Sequence, residues 1–216
     1  QTPPQHSTEA GEAAVPATLT QEISRELLGN YLATFQQTGG NVAPQQQTAL
    51  AQSAIELAQS TFSPPTVDAT KIRTVVPSKT TKQAYFAGVG RITEQLNMES
   101  VAEQQTLTLL AQQGVRTETL AQLAKDAERY AAYSNELQTL VVPQEYTVMH
   151  TGLVEALLQY GYTLETIARA KSDPMKSALG LGVFMQYESN LRIALARFAE
   201  IRLAFEAPTT PKPPTV

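Results

Sequence analysis

The chain has no cysteine and no tryptophan, only two histidines in 216 residues, and few aromatic residues of any kind (6%). Without cysteine there are no disulfides, no thiolate metal ligands and no cysteine nucleophile, and any redox compartment is compatible. The two histidines are His6, in a proline-rich start, and His150, so no histidine cluster can form. The Glu-x-x-His pairs that hold two metals in a helical bundle are also missing. Neither a metal nor a cofactor is expected. Charge is sparse as well: charged residues make up 17% and the net charge is -4. Lys79 and Lys82 sit together while Arg91 stands alone, so no basic patch is assembled to meet a polyphosphate backbone, and no nucleic-acid partner is expected. The longest apolar stretch, around Leu179 to Met185, is interrupted by Gly180 and Gly182 and is far short of the ~20 residues that span a bilayer.

What the sequence does contain is helical periodicity. Hydrophobic residues reach 42% in a chain long enough to bury one substantial core or two small ones. Gln and Thr, as in Gln45-Gln46-Gln47 and Thr80-Thr81, supply polar surface in place of charge. That composition, with Pro/Thr-rich ends, predicts an extracytoplasmic location. The start at Gln1 reads as a processed or trimmed product.

Residues 1–17, with three prolines, read as a disordered linker, and 207–216 as a proline-rich, polyproline-like tail that serves as a spacer. Between them, 18–62 predicts a helical hairpin. Thr18 or Thr20 caps its first helix, whose apolar face is Ile23, Leu27, Leu28, Tyr31 and Phe35, and Gly39-Gly40 ends it. Pro44 opens the second helix, bearing Leu50, Ala54, Leu57 and Thr61, and Ser63-Pro64-Pro65 stops it. Residues 63–77 predict an extended crossing segment. Lys71 to Val76 has the composition of a strand that must find its partner elsewhere. From 78 to 206 a long-helix bundle is predicted. Ser78 caps a helix carrying Tyr85, Val89, Ile92 and Leu96, and a further helix runs over 99–113 to Gly114. Leu120, Leu123, Ala127, Tyr130, Ser134, Leu137 and Val141 then repeat at threes and fours, a heptad-like seam. Val142-Pro143 breaks that helix and starts another, seamed by Tyr146, His150, Leu153, Leu157, Tyr160, Leu164 and Ile167. Asp173-Pro174 launches the last, to Glu206. Short turns between long helices force antiparallel packing, so the fold class is all-α, an antiparallel helical bundle of about five to six helices with one extended crossing segment, completed by an N-terminal helix.

The run Val142-Pro143, His150 and Leu153, then Asp173-Pro174 followed by Ala178, Gly182 and Tyr187, resembles the uncharacterised helical envelope-associated proteins of candidate-phyla (Patescibacteria-type) bacteria. Asp68 before the extended segment and Tyr85 early in the next helix add to the likeness, which covers most of 18–206. The resemblance implies an envelope location and membrane anchoring through a segment outside this chain, and it implies no particular activity.

His150 is the most conspicuous candidate site, a polar ring on an apolar seam that needs a hydrogen-bonding partner. It reads first as a core histidine bonded to a tyrosine hydroxyl, a carboxylate or a backbone carbonyl. The functional alternative is a ligand-binding pocket between helices lined by His150, Tyr146, Tyr160 and Tyr187. Asp173 and Pro174 are fully explained as helix cap and first-turn proline, and Pro143 as a turn residue. Gly88-Val89-Gly90 and Gly180-Leu181-Gly182 lack the rest of a phosphate loop, so Gly88 and Gly182 are expected where a neighbouring helix comes close. The carboxylate pairs Glu22/Glu26, Glu155/Glu165 and Asp126/Glu128 read as solvated, with Glu165–Arg169 and Glu188–Arg192 as ion pairs. No catalytic set is assembled, and no enzyme is expected. The best-supported function is a non-catalytic extracytoplasmic scaffold or protein-interaction module, acting on a protein partner or by self-association; the alternative is a small-molecule sensor or carrier built around His150.

Overall fold

The computed structural model describes residues 17–37, 43–113 and 115–207. The linker (but for Ala17), Gly39-Gly40, Gly114 and the tail (but for Ala207) lie outside the described residues, as do the side chains of Phe35 and Thr61. The architecture is an all-α bundle. Its elements are α1 (Leu19–Gln37), α2 (Pro44–Thr61), a 3-10 turn (Ala69–Lys71) and β1 (Thr74–Val75). They continue with α3 (Lys79–Gln113), α4 (Thr117–Thr139), β2 (Val142–Pro143), a 3-10 turn (Gln144–Tyr146), α5 (Thr147–Ala168) and α6 (Pro174–Glu206).

Helix α5 organises the rest. Leu153, Val154, Leu157, Leu164 and Ile167 are all fully buried, and Tyr160 nearly so. These positions cover more of the circumference than one stripe can hide, so the helix must be covered on more than one side. α4 lies along one flank, with Ser134 donating to the Val154 carbonyl (3.3 Å), and α6 along another, with Ser177 donating to the Ile167 carbonyl (3.1 Å). α3 closes the bundle: Phe86 packs on Phe198 and Phe205 of α6, and Arg91 pairs with Glu136 of α4. Successive helices from α3 to α6 therefore alternate in direction. Each large aliphatic side chain buried this way contributes about 1.5–3 kcal/mol.

The observed bundle differs from the expected one in four respects. The helices expected over 78–98 and 99–113 are a single α3, because no glycine or proline interrupts the stretch that joins them. The helix that completes the bundle is this α3. α1 and α2 instead form a satellite core of Leu19, Ile23 and Ala58 against Met175 and Leu179 of α6. Of the apolar face expected on α1, Leu27, Leu28 and Tyr31 are exposed. Pro143 does not open a helix directly. With Val142 it forms β2, and the 3-10 turn intervenes before α5. The crossing segment finds its partner there: β1 pairs parallel with β2, Thr74 opposite Val142 and Val75 opposite Pro143, and the Val142 amide donates to the Arg73 carbonyl (2.8 Å).

Glycines set two helix contacts. A Cβ on Gly161 would meet the Tyr130 Cβ at 2.8 Å and the Ala127 carbonyl oxygen at 3.2 Å, so α4 lies against bare α5 backbone. A Cβ on Gly180 would come within 3.0 Å of the Thr166 methyl carbon. Gly88 fits the expected close approach, with the Leu140 side chain 3.1 Å from where its Cβ would stand. Gly182 does not: nothing lies within 4 Å, and the position faces solvent. Gly161→Ala is therefore expected to lower stability by about 1–3 kcal/mol by forcing α4 and α5 apart. Gly182→Ala is expected to raise it by up to ~1 kcal/mol through helix propensity alone. Chemical denaturation of the two variants beside the parent chain checks the opposite signs.

Candidate functional site

Rings from three helices and the turn before α5 gather on Tyr85. This α3 side chain is 2% exposed, and its ring stacks on Tyr146 (centroids 5.7 Å) and meets Phe86, His150 and Phe198 edge-on (5.4, 5.6 and 6.4 Å). Its hydroxyl lies 3.2 Å from Nδ1 of His150, the tyrosine-bonded core histidine among the readings drawn from sequence. His150 is fully buried, and its Nε2 makes no hydrogen bond of normal geometry, although the Leu137 backbone carbonyl acts on the ring. Burial drives the imidazole pKa down to about 4, an effect the Leu137 carbonyl only partly opposes. Burial likewise raises the Tyr85 phenol, with a smaller contribution from Tyr146. The pair is thus a neutral imidazole and a neutral phenol, locked among rings.

Of the four residues suggested as pocket lining, the structure brings two together. Tyr146 and His150 share Tyr85. Tyr160, ten residues beyond His150 and so ~15 Å along α5, packs instead on Tyr130 (4.8 Å) and Phe184 (5.6 Å). Tyr187, half-buried on α6, has its phenol pKa raised by burial and then by neighbouring Tyr162. Surface grooves run elsewhere. One of 620 Å³ between α5 and α6 is edged by Met149, Glu155, Ile193 and Arg197, and one of 810 Å³ is bordered by Lys79, Phe86, Arg202 and Phe205. His150 lines neither. Among the described residues, no three acidic or histidine side chains gather as a metal-binding group, and no helix is long and apolar enough to cross a membrane.

The burial and bonding of two polar side chains were not legible in the sequence. Tyr85 looked like one more apolar position on its helix; its role as hub depends on what α5 and α6 bring to it. Asp126, read as solvated, is 1% exposed and accepts from Gln122 Nε2 (2.9 Å) and from the Arg129 guanidinium. The surface pairs Glu165–Arg169 and Glu188–Arg192 form as the spacing implied.

Asp173 does more than cap α6. Its carboxylate accepts from the Lys176 amide (3.3 Å) at the start of α6, and from the Leu19 and Thr20 amides (3.0 Å each) at the start of α1. The Thr20 hydroxyl donates to it at 2.6 Å and accepts from the Met175 amide at 3.0 Å. One buried charge therefore satisfies the first turns of two helices, whose positive dipole ends both point at it. Burial alone would raise its pKa. The hydrogen bonds from Thr20, Lys176 and Leu19 outweigh that and hold it below the usual carboxylate value.

No protein-family model matches this chain, and no curated protein and no solved structure matches it.

These groups give two stability predictions. An unfolded histidine binds a proton near pH 6.5 and buried His150 only near 4. The His150 contribution is thus complete above pH 6.5, and about 3 kcal/mol is lost as pH falls from there to 4. His150→Phe should flatten that slope in urea titrations between pH 7.5 and 4.5. Asp173 acts lower, its contribution fading only as pH drops below about 4. Asp173→Ala should cost about 2–4 kcal/mol, the loss of two caps, and hydrogen exchange should show the first turn of α1 losing protection ahead of α5.

Proposed function

We propose that this chain is a non-catalytic extracytoplasmic helical module that scaffolds or binds protein at the cell envelope. The observation that carries the proposal is the apolar surface left on well-formed helices. Leu28 (59%) and Leu32 (49%) project from α1, and Met185 (71%) and Leu203 (66%) from α6. Residues of this size repeated along a helix face favour contact with another protein surface over contact with water. The sparse charge and the resemblance to helical envelope-associated proteins support the compartment, and an anchor outside this chain would hold the module at a membrane. The reading ranks above a small-molecule sensor because His150 is enclosed by side chains, so a ligand at its ring would first have to displace the packing around Tyr85.

The test is site-specific photo-crosslinking in the native host, with the crosslinker at Leu28, Leu32 or Met185 and at polar, exposed Gln52 as control. Discrete protein adducts in the envelope fraction are expected from the apolar positions and not from Gln52. Adducts missing at all three positions, or a chain confined to the cytoplasm, would overturn the reading.

A further inference from the structure

We infer that the outer face of α6 binds a second copy of this chain, antiparallel, across a two-fold axis level with Asn190 and Leu191. The inference rests on the interaction-module reading and names its partner. The inner face of α6, with Leu191 and Phe198, is committed to the bundle. On the opposite side a second row of positions, from Ala178 to Leu203, also advances by threes and fours and is exposed throughout. Such a row keeps to one side of a helix and is the pattern by which two helices pack along their length. Met175 and Leu179, which seat the α1–α2 hairpin, lie off this row.

The order of sizes along the row selects the partner. With the axis at that level, Ala178 of one copy stands opposite Leu203 of the other, Leu181 opposite Ala199, and Met185 opposite Ala196. Every large side chain meets a small one, the alternation that lets two helices interdigitate without voids or clashes. At the centre, Arg192 falls opposite Ser189 and within one helical turn of Glu188 in the other copy. The Glu188–Arg192 pair that now closes within α6 can therefore be exchanged twice across the axis. A parallel pair in register would set Leu181 on Leu181, Met185 on Met185 and Arg192 on Arg192, stacking bulk on bulk and like charge on like. Self-complementarity of both size and charge is what a two-fold interface requires.

Sedimentation equilibrium of the full chain at on the order of 100 µM should show a dimer. Met185→Glu should raise its dissociation constant at least tenfold and leave the thermal midpoint unchanged at dilutions where parent and variant are both monomeric, since the side chain touches no core. Glu188→Arg and Arg192→Glu should each weaken it about tenfold, and the double variant should recover to within threefold. Orientation is read by thiols, against a cysteine-free background. Under mild oxidation, a mixture of separately made Met185→Cys and Ala196→Cys chains should cross-link, and neither alone should. In the antiparallel pair the two copies of position 185 are ~16 Å apart along the axis. Cross-linking of Met185→Cys alone overturns the orientation. A parent chain that stays monomeric while the Met185 photo-adduct forms with a different envelope protein overturns the second copy as occupant and leaves the interaction-module reading standing. Loss of both signals overturns both.

Discussion

The burial of α5 is the constraint from which the rest follows. A helix with leucine, valine, isoleucine and tyrosine over so much of its circumference has no stable place at a surface. α4 and α6 must close on it from different flanks, and the first part of α3 must cover what they leave. Gly161 and Gly180 make this possible at short range, where a Cβ would press on the Tyr130 Cβ and on the Thr166 side chain. Because α5 takes nearly all the apolar surface its neighbours offer inward, those neighbours keep their outer faces free for other uses. α6 shows this most clearly, with an inner row spent on the bundle and an outer row still open to solvent.

The polar interior obeys the same economy. The Tyr85 hydroxyl and His150 Nδ1 meet across α3 and α5, and the surrounding rings exclude the water that would let either ionise. Such a pair specifies register between two helices more sharply than another leucine contact would, since slippage by one turn leaves two buried polar groups unmet. Asp126, buried on α4, is held instead by Gln122 and Arg129 of its own helix.

How much could be read from the chain alone depended on the range of the interaction involved. Helices α4, α5 and α6, their seams and the capping by Asp173 were legible because each is written in neighbours three or four residues apart. The union of α3 was missed because the stretch after Leu96 looked like a fresh start in composition although nothing in it breaks a helix. The outward turn of Leu27, Leu28 and Tyr31 was missed because periodicity tells which residues share a face, never what that face meets. The partner of Thr74–Val75, the second helix capped by Asp173, and the pairing of Tyr85 with His150 all join residues more than sixty positions apart. Local pattern carries no record of such pairings. Gly182 was a false lead of another kind: a helical glycine suggests a close neighbour, and here the space beside it is empty.

The shared cap at Asp173 has a consequence for how this protein can change over time. The N-terminal hairpin has its own small core and meets the bundle through that carboxylate, Thr20 and a few side chains near the start of α6. Sequence drift on the outward sides of α1 and α2 leaves the four-helix unit untouched while the aspartate and threonine persist. The hairpin can thus acquire new surface chemistry independently, a variable head on a fixed stem.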